Sequence, residues 1–230
     1  MLNSIEHELG EDLSSSVQDY VKAIWSLGQR TGRPVSTSAI AGRLAVSPAS
    51  ASAMVKRLET LALATRRPYH GVELTAAGER VALEVVRHHR LLELYLAEAL
   101  GVPWDRVHAE AEVLEHAISP ELSERISDAL GNPTRDPHGD PIPSVEGVIA
   151  ETPTRPLAEL EPGESGSFVR VSDSDPEMLR YLSERGISPG DAFEVVAKEP
   201  FDGPISVRFG GELHVLGGAL TRAMRTEAQP

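Results

Sequence analysis

Cysteine is absent from all 230 residues. That excludes a disulfide framework and any thiolate metal site, and it fits a reducing compartment. No uninterrupted apolar run approaches the ~20 residues needed to cross a bilayer. The start of the chain also lacks a basic segment followed by an apolar one, so the expected location is cytoplasmic, with no membrane partner. Cationic charge is scarce as well, with 22 Lys and Arg against 35 Asp and Glu for a net −13. The scarcity is uneven. Residues 31 to 90 hold nine Lys/Arg and four acids, a net +5 that leaves −18 for the remainder. A basic patch on an acidic chain can meet phosphate while the rest discourages unspecific adhesion to polyanions.

Between His108 and His116 there is neither lysine nor arginine. A solvated helix face normally mixes both signs, so this stretch calls for a positive guest or a shared proton. His108, Glu112, Glu115 and His116 follow one another at spacings of four, three and one. A helix turning about 100° per residue gathers them within roughly 100° of arc. His89 and Glu93 form a second pair at i and i+4 on the preceding predicted helix. If the two helices pack side by side, six nitrogen and oxygen donors converge, a set suited to a divalent first-row metal.

Toward the N-terminus, Leu13 to Arg30 reads as an amphipathic helix with Val17, Tyr20, Ile24 and Leu27 on one stripe. Ser36 or Thr37 caps a short helix, Ala45-Val46-Ser47 makes a tight turn, and Ser47 caps a further helix from Pro48, with Met54, Val55, Leu58 and Leu61 as its buried stripe. This is the helix-turn-helix plan, whose second helix enters a major groove. Ser36, Ser47, Pro48, Ser50, Ser52, Lys56 and Arg57 are its candidate DNA contacts. Leu61 to Thr65 and Gly71 to Leu74 read as two strands around Arg66-Arg67-Pro68-Tyr69-His70. They make a wing, with Arg66 and Arg67 placed for phosphate or a minor groove.

A long helix from Thr75 to about Leu100 follows, then one from Trp104 to about Ile118 and one from Ser119-Pro120 to about Leu130. The apolar stripe Val107, Ala111, Leu114 and Ile118 would also serve a homodimer. Between Gly131 and Pro156, six prolines (133, 137, 141, 143, 153 and 156) coincide with the loss of any period, the mark of a connector. Beyond it, short β-like runs at 166–171, 192–198, 205–209 and 212–216, with a helical turn or two at 176–185, predict a small β-rich barrel. The reading is thus α+β: a winged helix-turn-helix over 1–75, a helical dimerisation and metal-binding part over 76–131, a linker over 132–155, and a β-barrel over 156–230.

Three stretches carry a family resemblance: Val86-Arg87-His88-His89-Arg90-Leu91-Leu92-Glu93, then Val107 through His116, then Asp136-Pro137-His138-Gly139-Asp140-Pro141-Ile142-Pro143. In that order they resemble the metal-dependent repressors of the diphtheria-toxin-repressor type, including the manganese-responsive branch, over about Leu13 to the C-terminus. The resemblance implies that the last domain is SH3-like. It also implies one metal site at His89, Glu93 and His108, and another at Glu112, Glu115 and His116 completed by Asp19. The iron branch carries cysteine and methionine where Glu112 and Asp19 stand here. Oxygen at both positions favours Mn²⁺ as effector, with Fe²⁺ the alternative and Co²⁺, Ni²⁺, Zn²⁺ or Cd²⁺ as surrogates. Lys22 stands where some manganese-type members have a carboxylate, and in Val171-Ser172-Asp173-Ser174-Asp175 either aspartate is a candidate for the first site.

The function implied is repression of metal-uptake genes by a homodimer on a palindromic double-stranded operator, without enzymatic activity. Two rivals stand beside it. A di-metal helical enzyme needs Glu-x-x-His twice, but Glu112 to His116 is one residue too long and His89 to Glu93 is reversed. A metal-independent winged-helix regulator would use its acidic helices for solubility alone.

Overall fold

The computed structural model describes residues 13–67, 70–150 and 152–228. Among these, two compact units form, one of residues 13–88, 115–117 and 143–148, the other of 89–114, 118–142 and 149–228.

In the first unit, α1 (Ser15–Thr31), α2 (Thr37–Arg43) and α3 (Pro48–Thr60) precede the hairpin β1 (Ala64–Arg67) and β2 (Gly71–Leu74), and α4 (Ala76–Leu100) begins here. Both short helices start on a serine: Ser36 is the one used of the two caps the sequence offers for the first, and Ser47 is the cap expected for the second. Ser36 Oγ accepts from the Ala39 N–H at 3.1 Å and Ser47 Oγ from that of Ser50 at 3.1 Å. Ala45 takes a left-handed φ of 52° in the turn between them. The buried stripe of α3 is Ala51, Val55 and Leu58. Leu61, expected in it, is 41% exposed, because the helix ends at Thr60 and Ala62 swings to φ 57°. For the same reason β1 starts at Ala64 and not at Leu61. Val17, Val21, Ile24, Ile40, Val55 and Leu58 share one core, each large side chain contributing about 1.5–3 kcal/mol by leaving water. The wing pairs Ala64 with Leu74 through Arg67 with Gly71. Pro68 and Tyr69 of its tip lie outside the described residues.

The second unit takes up α4 from His89 and adds α5 (Val107–Leu114) and α6 (Pro120–Ala129). Leu91, Leu92, Val107, Ala111, Ile126 and Ile142 form their core. The expected helix from Trp104 to Ile118 is shorter at both ends. No basic residue occupies the last turn of α5, where carboxylates oppose the negative end of the helix dipole, and Pro120 follows closely. Glu115 and His116 therefore leave the helix, and the single four-donor helix face predicted from spacing does not form.

The rest of this unit holds β3 (Arg155–Pro156), a 3-10 turn (Leu157–Glu159), β4 (Ser165–Arg170), α7 (Pro176–Ser183), β5 (Ala192–Lys198), β6 (Ile205–Phe209), β7 (Glu212–Leu216), α8 (Gly218–Ala223) and β8 (Arg225–Ala228). The sheet order is β3-β8-β4-β5-β6-β7, so the small β-rich module expected from sequence is, among the described residues, built on one open six-stranded sheet. Phe168, Phe193, Val195, Val207, Phe209 and Met224 pack its core. Strand β8 escaped the sequence reading because its buried residue is polar: Thr226 is fully buried and donates to Arg155 O at 2.9 Å. No described helix is long and apolar enough to cross a membrane.

Candidate metal centre and nucleic-acid interface

The first unit brings Asp19 of α1 together with Glu115 and His116 of the turn behind α5. His116 Nε2 lies 2.8 Å from Asp19 Oδ1 and 3.5 Å from Glu115 Oε1. Its other nitrogen, Nδ1, is 2.5 Å from Gln18 Oε1. An imidazole that donates Nδ1–H to Gln18 presents the Nε2 lone pair to Asp19, the orientation that a hydrogen-bonded second nitrogen gives a metal-ligating histidine. Gln18 was not singled out from sequence, where an amide beside an aspartate carries no special pattern. Glu115 is nearly inaccessible, and Lys22 Nζ reaches both of its oxygens, at 2.9 and 2.7 Å. Lys22 thus supplies an ammonium where the family resemblance points to a carboxylate in other members.

In the second unit His89 Nε2, Glu93 Oε1, His108 Nδ1 and Asp173 Oδ2 converge. Glu93 Oε1 is 3.0 Å from His89 Nε2 and 3.2 Å from His108 Nδ1, and Asp173 Oδ2 is 2.9 Å from that same Nδ1. The two imidazole nitrogens are 3.0 Å apart. One proton on His108 Nδ1 cannot serve three neighbours at this range, whereas a single cation among them can. Of the two candidate aspartates, Asp173 enters this group. Asp175 caps α7, accepting from the N–H groups of Glu177 and Met178 at 3.0 and 3.3 Å. Glu112, expected with Glu115 and His116, belongs to this unit, where its Oε1 stands 3.6 Å from His108 Nε2.

Burial opposes charge throughout this group, and the charged neighbours prevail. Burial would lower His108, but Asp173 and Glu93 raise it to about 10. Burial would raise Asp173, but His108 brings it to about 2. Glu93 is held well below the usual carboxylate range against its burial by His89, His108 and His138. His138 is likewise raised to about 9 against burial, mainly by Glu93. Burial, reinforced by Glu93 and Asp140, pushes Asp136 well above its ordinary value.

The raised groups all act in one direction. Protons on His108 and His138 stabilise the metal-free fold fully below their ordinary value of 6.5, and that contribution is lost as pH rises through about 9 to 10. The Asp173 contribution is complete above 3.8 and lost as pH falls toward about 2. Urea unfolding of chelator-treated protein should therefore show highest stability between about pH 4 and 6.5 and a decline on the alkaline side. A stability rising from pH 7 to 10 would contradict these assignments.

On α3, Ser50, Ser52, Lys56 and Arg57 are exposed and clear of the buried stripe, as predicted. Ser36 and Ser47 are occupied as helix caps, and Pro48 is the first helical residue. On the wing, Arg67 Nε lies 2.6 Å from Glu73 Oε2 and Arg66 Nε 3.9 Å from Glu59 Oε2. Both arginines remain well exposed.

A chain that folds a winged helix-turn-helix and also gathers buried imidazoles and carboxylates falls in the class of metal-responsive DNA-binding proteins. Residues 12–72 match the iron-dependent repressor N-terminal DNA-binding domain, 75–144 the iron-dependent repressor metal-binding and dimerisation domain, and 155–226 the FeoA domain. The chain belongs to the family of metal-dependent transcriptional repressors that includes the diphtheria toxin repressor. It is 31% identical to the iron-dependent repressor IdeR of Mycobacterium leprae, over 94% of this chain and 98% of that protein. It is 29% identical to the diphtheria toxin repressor of Corynebacterium efficiens, over 94% and 97%. A solved manganese-dependent transcriptional repressor in complex with manganese superposes with a TM-score of 0.87 at 42% identity, over 93% of this chain and all of that one. These relatives are transcriptional repressors rather than enzymes, and DNA and a second copy of the chain are the partners that the matched domains imply.

Proposed function

We propose that this chain represses transcription in response to Mn²⁺, as a homodimer on a palindromic duplex operator. One donor set is Asp19, Glu115 and His116; the other is His89, Glu93, His108 and Asp173, with Glu112 beside His108. The observation that carries this reading is the meeting of His116 Nε2 with Asp19 Oδ1 at 2.8 Å while Gln18 holds the opposite ring nitrogen. A bound dication would supply the positive charge that these facing lone pairs lack.

Asp19 stands on α1, whose Val17, Val21 and Ile24 share a core with Ile40 of α2 and Val55 and Leu58 of α3. Glu115 and His116, held to Asp19, fix the turn at 115–117 against the helix that underlies the reading pair. Without a cation, the Asp19 carboxylate and the Nε2 lone pair of His116 face each other unbridged, and that attachment is weakened by their repulsion. Occupancy of the site and operator binding then favour each other by equal factors.

Oxygen donors at every non-imidazole position support Mn²⁺ over softer metals, although intrinsic affinity rises toward the later first-row ions. Fe²⁺ is the second reading, favoured by the iron-dependent names of the curated relatives. The test is a fluorescence-anisotropy titration of genomic operator fragments at buffered Mn²⁺, Fe²⁺, Co²⁺ and Zn²⁺. Mn²⁺ should strengthen binding about 100-fold, and equal affinity with and without any ion would overturn the proposal. His108 must shed its proton to accept a metal, so Mn²⁺ binding to the second donor set should tighten as pH rises from 7 and level off near His108's value of about 10. Calorimetry in buffers of different ionisation enthalpy reads the released proton.

For DNA, Ser50, Ser52, Lys56 and Arg57 offer the reading face, with Pro48 at its leading end. Ser36 and Ser47, their oxygens committed to capping, act through the backbone they fix. Replacing Arg66 and Arg67 by alanine should flatten the logarithmic salt dependence of operator binding by about 2 per protomer. An unchanged slope would remove the wing from the interface.

A further inference from the structure

Glu93 has a second oxygen that the donor sets above leave unused. Its Oε2 faces His138 Nδ1 at 3.7 Å, and Asp136 completes a fully buried group in which one donor atom of each residue lies within 4.8 Å of the others. His138 is 0% exposed. Its Nε2 lies 2.8 Å from Trp104 O, and because a carbonyl only accepts, Nε2 must carry the hydrogen. Nδ1 has no hydrogen-bond partner. It and Ser123 Oγ are the buried side-chain atoms in that position among the described residues.

Two occupants can compensate a buried imidazole nitrogen that faces a carboxylate, a proton or a metal cation. A charge-assisted hydrogen bond would draw the atoms to about 2.7–2.9 Å. Two donors on one ion, each about 2.1 Å from it, stand about 3 Å apart when adjacent and about 4.2 Å when opposite. The observed 3.7 Å is longer than that hydrogen bond and lies between the two ion-bound separations.

The surroundings are built to hold this geometry. Asp136 Oδ1 accepts from the N–H groups of His138 and Asp140, both at 2.9 Å, which closes the turn. Gly139 has φ +87°, and a Cβ there would fall 1.9 Å from Val169 O. The Val171 N–H donates to His138 O at 3.0 Å. The Trp104 ring stacks on the imidazole at a centroid distance of 5.8 Å. Arg90 Nε lies 3.6 Å from Asp136 Oδ2.

We propose that Glu93 is a bridging carboxylate: its Oε1 serves the set of His89, His108 and Asp173, while its Oε2, with Asp136 and His138 Nδ1, holds a further divalent cation, so that the centre is dinuclear. This rests on the reading of the His89 set as a metal site. The donors are one imidazole and two carboxylates, suited to hard ions such as Mn²⁺, and bridged ions of this kind sit about 3.5–4 Å apart.

The experiment is equilibrium dialysis of chelator-stripped full-length protein against manganese chloride, with the ions counted by mass spectrometry and their coupling read by low-temperature electron paramagnetic resonance. Wild type should hold about three ions per chain, two of them exchange-coupled through the bridge. Asp136→Asn keeps the oxygen that closes the turn, and His138→Phe keeps the stack on Trp104. Each should lose one ion and the coupled signal. Asp19→Ala should lose one ion and keep the signal. Two uncoupled ions in wild type, unchanged by Asp136→Asn, would overturn the dinuclear centre and leave the proposed function standing. One ion in all at the Glu93 centre of wild type, lost in a folded Asp136→Asn, would overturn it by showing a single site. No ion bound to wild type would instead end the reading on which it rests. If His138→Phe fails to fold, Asp136→Asn carries the test.

Discussion

Asp19→Ala should abolish the metal response of operator binding, a loss of about 100-fold in affinity at saturating Mn²⁺, while the metal-free affinity stays unchanged. The expected selectivity comes from where Asp19 sits. Its side chain is 44% exposed and pairs with His116 Nε2 at 2.8 Å, an imidazole that Gln18 also holds, so its removal strands no fully buried charge. Thermal stability of the metal-free protein should change by less than about 0.5 kcal/mol. Glu115→Gln is the informative contrast, because that carboxylate is nearly inaccessible and accepts from Lys22 with both oxygens. Breaking a buried ion pair costs roughly 3–5 kcal/mol, so this variant should lose stability as well as response. Anisotropy titrations with and without Mn²⁺, paired with thermal melts, separate the two. An Asp19→Ala protein that still responds to Mn²⁺ would remove α1 from the coupling.

Glu93→Gln should produce the largest change in the second unit. Three imidazoles depend on this carboxylate: His89 at 3.0 Å, His108 at 3.2 Å and His138 at 3.7 Å. A neutral amide cannot hold His138 in its protonated form, and it leaves Asp173 alone to hold the proton on His108. The metal-free fold should lose roughly 3 kcal/mol at pH 6. The loss should shrink as pH rises through about 9 to 10, where the wild-type imidazoles deprotonate anyway. The same variant should bind Mn²⁺ in the second unit at least about 10-fold more weakly. Urea titrations at several pH values check the first expectation and calorimetry the second. An unfolding free energy equal to wild type at pH 6 would contradict the network.

The order of domains, the cap at Ser47, the choice of cap at Ser36 or Thr37, and the stretches that hold the candidate donors were legible because each is written locally, in hydroxyls before helices, in periodicity, or in a run without positive charge. The grouping of donors was only partly legible. Spacing placed His108, Glu112, Glu115 and His116 on one helix, yet the helix ends at Leu114, and where a helix stops depends on dipole compensation and on the turn toward Pro120 more than on periodicity. Asp173 and Asp175 could not be ranked from sequence, since the choice depends on which aspartate caps α7. Gln18 and the inward-facing Nδ1 of His138 carry no sequence signal at all. Their roles come from three-dimensional proximity to residues about a hundred and about forty-five positions away.

The ammonium of Lys22 lies against Glu115 before any metal arrives. An incoming dication at that carboxylate meets resident positive charge, so it gains less there than it would from the same ligands without a neighbouring amine. For a regulator this is a dial on the threshold. On the proposed function, the tethered amine compensates the buried acid when metal is scarce and should raise the free-ion level at which half the population switches, which a Lys22→Met titration with Mn²⁺ would read as a lower midpoint.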